Sequence, residues 1–425
     1  MRPAVALVAT LVAATACAPL RAQTPRASTA PIPVPTEHAA VKRATELVRT
    51  DNAWTLQQQT QICEIPAPPY GEEVRAAEYK RRLEAEGLTN VRIDSVGNVI
   101  AERVGSGDGP VVVLSAHLDT VFPEGTDVTV KRDGDMYAGP GIGDDCRGLA
   151  VVLAVARAYR QADIRTAGTI LFVGTVGEEG AGNLRGVRYL FEGPLKGTID
   201  YFISVDGTGL NITHAAVGSN RYRVRFIGPG GHSYGAFGMP NPMHAMGRAI
   251  AKLADVQVPA SPRTTFSVGV VEGGTSVNSI PFEATMDVDL RSESAQSLAT
   301  LDSAFQRAVQ DGLAEERARW PQSQRPVDVK IDTIGIRPAG SQPETAPIVV
   351  AAIEAGKALG FEPFTGASST DSNVPIGLGI PAITIDGGGQ ARGAHSLDEV
   401  YRDGPDGWKG PQWAILIVAA LAGAQ

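Results

Sequence analysis

The sequence predicts an α/β protein built on a mostly parallel central sheet, and two observations support this fold class. Short apolar segments with the length and composition of buried strands recur along the chain, and several end in an acidic or imidazole side chain. A glycine-rich loop at residues 141–148 leads directly into an apolar helical pattern at residues 149–158. Buried strands that alternate with helices are typical of α/β domains.

The first informative strand is the apolar run that starts at Val111 and ends in His117, with Asp119 two positions further on. In an extended segment, residues i and i+2 point to the same side, so we expect the imidazole and the carboxylate to emerge together. They would do so at the carboxyl end of the strand, where open α/β sheets bind ligands. A metal-bound histidine usually donates its second ring N–H to a carboxylate. An ordinary strand-end histidine paired with an aspartate in a turn is the alternative interpretation.

Acidic and imidazole side chains also follow the other predicted strands. They are Asp144 and Asp145 in the glycine-rich loop, Glu178 and Glu179 after the strand at 169–176, Asp206 after the strand at 201–205, and His395 after the strand at 381–386. Uncompensated charges at neighbouring strand ends would repel one another and would lose their hydration. Divalent cations are the simplest compensation.

The ligand types narrow the choice of metal. Two imidazoles with several carboxylates and no thiolate suit zinc, or cobalt, manganese and nickel, better than calcium or magnesium. There are more ligands than one tetrahedral ion needs, but enough for two ions that share a bridge and together activate a water and polarise a carbonyl. Glu178 lies beside the candidate ligand Glu179 and is placed to act as general base on that water. A solvated acidic turn is the alternative for these two glutamates.

These motifs resemble the dinuclear zinc exopeptidases and amidohydrolases that include carboxypeptidase G, peptidase T, carnosine dipeptidase and aminoacylase. The resemblance runs from about residue 62 to the C-terminus, with the motifs in the same order. It implies two Zn²⁺ ions, with Co²⁺ or Mn²⁺ as substitutes, and it implies these ligands: His117, Asp144 and Asp206 for one ion, and Asp144, Glu179 and His395 for the other. It also implies that Asp119 orients His117 and that Glu178 is the base and proton shuttle.

One motif departs from the family pattern. The family usually has Asp-Asp-Lys-x-Gly in the glycine-rich loop, whereas this chain has Cys146 where the lysine would stand. The family uses the first acid of the pair as the bridging ligand, which implies Asp144 rather than Asp145. The departure leaves the details of this loop to be read from the structure.

The middle of the chain matches the second domain of that family. Alternating patterns predict strands and helical patterns predict helices, in this order: strand 220–227, helix 242–255, strands 264–271 and 282–291, helix 298–313 and strand 327–332. The resemblance implies an α+β sandwich, residues 215–335, inserted as a lid between two parts of the catalytic domain, residues 41–214 and 336–425. In the family such a lid forms a homodimer, and we expect the same here.

Three lid residues, His232, Asn278 and Arg291, match positions that reach an active site in the family. We expect them to bind the substrate carboxylate or the tetrahedral oxyanion, with His232 acting on the active site of the partner subunit. An oxyanion requires preorganised donors, and arginine binds carboxylates through two parallel hydrogen bonds. Without the resemblance, each would be interpreted as an ordinary surface residue. In the catalytic domain, Gly388 and Gly389 are expected to let the chain approach the substrate closely.

Residues 231–235 also form a Gly-x-Ser-x-Gly pattern, which is typical of the nucleophile elbow of serine hydrolases. Asp386 and His395 would complete a Ser…Asp…His order around Ser233. The elbow requires a strand, a sharp turn and an immediate helix, and the glycine and proline residues on both sides of Ser233 disfavour an immediate helix. A serine mechanism also leaves the acidic clusters unexplained.

Composition and charge exclude other functions. The net charge of −8, without a lysine- or arginine-rich block, argues against nucleic acid or an anionic membrane as a partner.

Residues 1–22 resemble a signal peptide too short to span a membrane, so we expect export to the periplasm or the medium, with acylation of Cys17 as a lipoprotein as the alternative. Residues 23–40 are expected to form an exposed linker. Cys63 and Cys146 then remain, and we expect no disulfide framework.

The sequence therefore predicts an exported dinuclear zinc hydrolase that cleaves an amide or peptide bond in a small substrate. Asp206 resembles the ligand of the aminopeptidase and dipeptidase branches, whereas carboxypeptidase-like members tend to have glutamate at this position. This difference favours a di- or tripeptidase or an aminopeptidase. An N-acyl amino acid amidohydrolase or a carboxypeptidase of the same family is one alternative. A non-catalytic peptide-binding dimer and a serine hydrolase that uses Ser233 are the alternatives of another class.

Overall fold

The computed structural model describes residues 27–425, so the predicted signal peptide, with Cys17, lies outside the described residues. The helices are α1 Ala39–Thr50, α2 Asn52–Cys63, α3 Glu73–Ala85, α4 Cys146–Gln161, α5 Arg185–Glu192, α6 Pro242–Ala254, α7 Ala295–Arg319, α8 Pro347–Ala358, α9 Asn373–Gly377 and α10 Lys409–Ala422. The strands are β1 Thr89–Ile93, β2 Val99–Arg103, β3 Val111–His117, β4 Lys131–Asp133, β5 Met136–Ala138, β6 Thr169–Thr175, β7 Tyr201–Val205, β8 Ile212–Ala216, β9 Gly218–Ile227, β10 Gly231–His232, β11 Thr264–Gly273, β12 Ser279–Ile280, β13 Glu283–Ser292, β14 Asp328–Arg337, β15 Gly340–Ser341, β16 Thr365–Ser368, β17 Ala382–Ile385, β18 Gln390–Arg392 and β19 Val400–Arg402.

The largest sheet has the strand order β1-β2-β6-β3-β7-β17-β8-β15, with β16 beside β8. Its central strands β6, β3, β7 and β17 run parallel to one another. On the flanks, β2 pairs antiparallel with β6, and β8 pairs antiparallel with β17. The predicted α/β class is confirmed, and the sheet as a whole is mixed. Because the central strands are parallel, their carboxyl ends meet at one edge of the sheet.

Helices cover both faces of this sheet, because alternate residues of a strand point to opposite faces. Along β3, Val112 and Leu114 pack with α4 and α10, whereas Val113 packs with α5 and α9. The apolar C-terminal segment forms the buried helix α10. Within residues 27–425, no helix combines the length and the apolar character needed to cross a membrane.

A second, antiparallel sheet with the order β11-β13-β9-β14 forms the core of the lid. Helices α6 and α7 pack on it around one apolar cluster, in which the rings of Tyr222 and Phe305 stack with their centroids 5.0 Å apart. The lid strands extend from Gly218 to Arg337, so β14 continues two residues beyond the expected end of the lid at residue 335. This extension carries Arg337 into the catalytic domain.

One expectation about a loop differs from the structure, and another agrees with it. The segment from residue 27 to the start of α1 is not an exposed linker throughout, because Ile32 and Val34 are apolar and pack against the core of the catalytic domain. Ser233 follows the two-residue strand β10 and is followed by turns, and the next helix, α6, begins only at Pro242. A nucleophile elbow is therefore absent at Ser233.

Candidate metal centre and active site

The candidate ligands lie at the carboxyl ends of the central parallel strands. His117 is the last residue of β3, Glu178 and Glu179 follow β6, and Asp206 follows β7. His395 lies between β18 and β19, and its ring reaches the same place. The order of the strands in the sheet, rather than their order in the chain, brings these side chains together.

Asp144 lies between the two imidazoles. Its Oδ1 is 3.0 Å from His117 Nε2, and its Oδ2 is 3.1 Å from His395 Nε2. The donor atoms of His117, Asp144 and Asp206 all lie within 4.8 Å of one another, and the same holds for those of Asp144, Glu179 and His395. The structure thus brings together the two triads that the resemblance implies, with Asp144 common to both.

Asp145 has a different position from its neighbour. Its Oδ1 accepts the backbone N–H of Gly148 and caps the start of α4, and its Oδ2 accepts the backbone N–H of His117, each at 3.0 Å. The side chain is fully buried, and burial raises its pKa well above the ordinary range. Asp145 therefore joins α4 to β3, and Asp144 is the acid that faces both imidazoles.

Asp119 is buried, but its carboxylate contacts the backbone of the glutamate pair rather than the ring of His117. Its two oxygens accept the backbone N–H groups of Glu178 and Glu179 at 3.0 and 2.8 Å. The Nδ1 atom of His117 lies 2.9 Å from the backbone oxygen of Asp119 and 3.7 Å from the nearest carboxylate oxygen. The backbone carbonyl of Asp119 therefore orients His117, and the carboxylate orients the two glutamates.

Glu178 pairs with Arg337, a residue that sequence reasoning missed. Arg337 Nη1 donates to Glu178 Oε1 at 2.9 Å, and Nη2 donates to the backbone carbonyl of Glu178. Both side chains are buried. Burial raises the pKa of Glu178, and the guanidinium opposes this shift. An isolated arginine at the end of a lid strand has no sequence pattern that would indicate this contact.

A second missed residue, Glu399, holds the loop that carries Asp144. Its Oε1 accepts the backbone N–H groups of Gly143 and Asp144 at 2.8 and 3.1 Å, and its Oε2 accepts that of Gly141 at 2.9 Å. A Cβ atom at Gly143 would lie 3.1 Å from Glu399 Oε1, which favours glycine there. The sequence signal for Glu399 was its position four residues after His395, because the same loop carries both side chains.

The cluster concentrates ionisable groups in a largely buried place. Burial and the nearby carboxylate of Asp144 raise the pKa of Glu179 to about 7, and burial raises the pKa of Asp206 well above its ordinary range. The hydrogen bond to Asp144 raises the pKa of His395 to about 9. Burial disfavours the His117 imidazolium, but the carboxylates of Asp119 and Asp144 raise its pKa well above the ordinary range nevertheless. These shifts follow from crowding carboxylates and imidazoles together away from water.

The cluster opens into a cleft of about 620 Å³ that three arginines also line, Arg221, Arg291 and Arg337. Arg221 and Arg291 share the carboxylate of Asp289, with Nε–O distances of 3.2 and 2.7 Å. Arg221 and Asp289 are direct cross-strand partners on β9 and β13. The shared carboxylate fixes both guanidinium groups, and such groups are well suited to bind a carboxylate or an oxyanion.

The other two predicted lid residues lie away from the cleft of their own chain. His232 and Asn278 are exposed, and neither lines the cleft. They lie on and beside the short strand pair β10–β12, where the backbone N–H of Ser233 donates to the backbone oxygen of Asn278 at 2.9 Å. Ser233 is likewise outside the cleft, although Asp386 and His395 line it. The Ser…Asp…His arrangement is therefore not assembled.

Gly388 and Gly389 do not line the cleft either, and the expectation that they approach the substrate needs correction. A Cβ atom at Gly388 would lie 2.4 Å from the backbone oxygen of Gly407, and one at Gly389 would lie 2.3 Å from the hydroxyl of Tyr401. Both glycines also have positive φ, 82° and 69°. Close packing against the protein itself, rather than against a ligand, therefore accounts for glycine at these positions.

An α/β sheet with a histidine–carboxylate cluster at its strand ends, together with an inserted α+β lid, defines the class of two-domain metal-dependent peptidases. Residues 113–407 match the model of peptidase family M20/M25/M40, and the chain belongs to this family. The predicted resemblance is thereby confirmed, and the chain is a peptidase or amidohydrolase of that family.

Individual relatives agree with this assignment. The chain is 28% identical over 323 residues to carboxypeptidase G2 from Pseudomonas sp. (strain RS-16), a match that spans 71% of this chain and 74% of the relative. Aminopeptidase PepT from Bacillus cereus ATCC 10987 shares the fold with a TM-score of 0.71 at 21% identity, over 87% of this chain and 98% of that one. The YXEP protein of Bacillus subtilis, described as a dinuclear metal binding peptidase from the M20 family, has a TM-score of 0.66 at 18% identity, over 89% and 100% of the two chains.

The pKa shifts predict how the stability of the chelator-treated chain depends on pH. The pKa of Glu179 in the folded chain, about 7, lies above its ordinary value of 4.5, and that of His395, about 9, lies above 6.5. Both groups therefore stabilise the folded chain at low pH and lose that contribution as the pH rises through these folded values. We expect the thermal unfolding midpoint to fall from about pH 5 to about pH 9. A midpoint that rises across this window would contradict the proposed electrostatics.

The role of Glu399 predicts the effect of Glu399→Gln. The amide keeps the shape but points an NH₂ group at backbone donors, and leaving one buried donor unpaired costs about 1–3 kcal/mol of folding stability. Because Glu399 positions Asp144, we also expect the affinity for Zn²⁺ to fall by about 10- to 100-fold. Chemical denaturation and calorimetric titration would measure the two effects. Asp398→Asn, at the exposed neighbouring position, is the matched control and should change neither quantity.

Proposed function

We propose that this chain hydrolyses an amide or peptide bond in a small substrate, and that two divalent metal ions act at the acidic cluster. Zinc is the ion we propose, with cobalt or manganese as substitutes. The observation that carries this proposal is the position of Asp144, whose two carboxylate oxygens face two different imidazoles. A carboxylate in that position is suited to bridge two ions, as in other paired-metal hydrolases.

The donor set fits such ions. Each triad offers one imidazole nitrogen and two carboxylates, with Asp144 shared, and neither includes a thiol. This mixture of nitrogen and oxygen donors suits zinc and its neighbours. Metal binding requires neutral imidazoles and ionised carboxylates. Two dications would balance the negative charge of the crowded carboxylates, which contributes to the raised pKa values of His395 and Glu179. Bound metal ions would activate a water molecule and polarise the scissile carbonyl.

Glu178 is the residue that we propose as the base, taking a proton from the attacking water and passing it to the leaving nitrogen. It lines the cleft, and Arg337 occupies Oε1, which leaves Oε2 for the proton. Burial strengthens the carboxylate as a base, whereas the guanidinium keeps it ionised. The carboxylate of Asp119 fixes the backbone N–H of Glu178 and so holds the base in place.

The cleft suits a small substrate that carries a carboxylate. Its volume of about 620 Å³ suits a di- or tripeptide rather than a folded protein, and three guanidinium groups line it. We therefore propose di- or tripeptides with a free carboxyl terminus as the substrate class. N-acyl amino acids carry the same carboxylate and are the second candidate substrate class. Peptides differ from them in having a free amino group, so a comparison of the two kinds of substrate distinguishes the candidates.

The first test is hydrolysis of a panel of dipeptides, tripeptides, their amides and N-acyl amino acids. We expect chelation to abolish activity, added Zn²⁺, Co²⁺ or Mn²⁺ to restore it, and Glu178→Gln to lower kcat by at least about 10²-fold. Glu73→Gln, which removes an exposed carboxylate on α3, is the matched control and should retain full activity. Binding of two metal equivalents without any hydrolysis would instead favour a non-catalytic peptide-binding protein. Activity that withstands chelation would contradict the metal mechanism.

The arginine-lined cleft makes a prediction about specificity. A hydrogen bond to a charged group is worth about 1.5–3 kcal/mol, so Arg291→Ala should raise KM for carboxylate substrates by about 10- to 100-fold. The same variant should change KM for the corresponding amides little. Arg307→Ala, which removes an exposed arginine of α7, is the control. Equal effects on acids and amides would show that Arg291 does not bind the substrate carboxylate.

We further propose that the lid forms a homodimer in which His232 and Asn278 complete the active site of the partner subunit. Both are exposed away from their own cleft, and large apolar lid side chains close to them in the chain, including Phe237 and Val277, are exposed as well. Such exposed apolar groups favour an interface.

Mixing two weakly active variants tests the proposed dimer. A heterodimer of His232→Ala and Glu178→Gln has one active site with both residues intact, so the exchanged mixture should recover about a quarter of wild-type activity. Each variant alone should remain weakly active. A mixture no more active than its components, or a chain that is monomeric in light scattering, would contradict the proposal. Glu178→Gln mixed with Glu178→Ala is the control, since no intact site can form.

A further inference from the structure

Two buried cysteines lie next to the candidate metal loop and take no part in the proposed mechanism. Cys63 is the last residue of α2, and Cys146 is the first residue of α4. Both side chains are completely buried, and both belong to one small cluster with Tyr137, Ile142 and Tyr401. The two cysteines come from distant parts of the chain, and the packing of α2 against α4 brings both side chains into this one cluster.

The backbone on each side of this pair is held in place. The guanidinium of Arg75 donates to the backbone oxygen of Cys63 at 3.3 Å, and the thiol of Cys63 donates to the backbone oxygen of Pro140 at 3.4 Å. The backbone N–H of Cys146 donates to the backbone oxygen of Gly141 at 3.2 Å. Both cysteines are therefore held by hydrogen bonds at the ends of two packed helices.

We propose that Cys63 and Cys146 form a disulfide bond that joins the end of α2 to the start of α4. The oxidant is a disulfide, either that of a thiol–disulfide oxidoreductase or a small-molecule disulfide. One cysteine thiolate attacks the oxidant and releases its first thiol. The second thiolate then attacks the mixed disulfide, forms the Cys63–Cys146 bond and releases the second oxidant thiol. The cysteines lose two electrons and two protons, and the oxidant gains them.

Chain location and burial both bear on this bond. The export signal expected at residues 1–22 would deliver the chain to an oxidising compartment, where paired cysteines form disulfides. Because both thiols are fully buried in the folded chain, the oxidant must act before α2 and α4 complete their packing. Once formed, the bond is shielded from reductants by the same packing. A disulfide that closes a long loop also restricts the unfolded chain and so stabilises the folded one.

Peptide mapping of the full chain tests the proposal. The chain is refolded in a buffer of oxidised and reduced glutathione, denatured with an alkylating reagent without further reductant, digested and analysed by mass spectrometry. We expect a linked peptide that contains Cys63 and Cys146, with both cysteines unlabelled until the sample is reduced. Alkylation of both residues in the unreduced sample would overturn the proposal, and so would glutathione adducts without the linked peptide.

Three serine variants, two single and one double, provide the matched controls. Cys63→Ser and Cys146→Ser should each leave the remaining cysteine open to alkylation. Adding reductant during unfolding should lower the denaturation midpoint of the wild type and leave that of the double serine variant unchanged. An equal shift in both chains would overturn the proposed stabilising bond. These measurements do not depend on hydrolysis, so a chain that cleaves no substrate can still carry the bond.

Discussion

The crowding of carboxylates and imidazoles at one edge of the sheet is the constraint to which the surrounding structure is fitted. Asp144 can lie between His117 and His395 only if the backbones of all three are held against electrostatic and thermal displacement. Buried carboxylates that accept backbone N–H groups do this repeatedly. Asp145 holds His117, Asp119 holds Glu179, and Glu399 holds Asp144. An outer layer of acids thus positions the inner layer, which is how ligand geometry is usually enforced around metals.

The insertion of the lid divides the residues of both layers between two distant segments of the chain. His117, Asp144 and Glu179 precede the lid, whereas His395 and Glu399 follow it. The site is therefore complete only after β17 has joined β7 in the central sheet and has brought the final segment alongside. The site therefore requires both parts of the catalytic domain to be packed together.

The sequence was sufficient to predict the site residues that follow the ends of strands. It was insufficient to predict the residues whose role depends on the backbone N–H groups that they bind. Polar residues after apolar strands indicated the members of both triads, because parallel strands must deliver their ends to one edge. Sequence patterns do not show which backbone N–H a carboxylate will meet, so the contact of Asp119 with Glu178 and the role of Glu399 were not foreseen. Gly388 was misinterpreted because a sequence does not distinguish a glycine that prevents a clash with its own chain from a glycine that leaves room for a ligand. Arg337 escaped notice because its partner lies far away in the chain.

The contact between Arg337 and Glu178 joins the lid sheet to the side chain proposed as the base. Arg337 ends a strand of the lid sheet, whereas Glu178 belongs to the catalytic sheet. A displacement of this strand that lengthened the contact would withdraw a positive charge from the carboxylate and raise its pKa. The position of this lid strand and the acidity of Glu178 are therefore coupled through one ion pair.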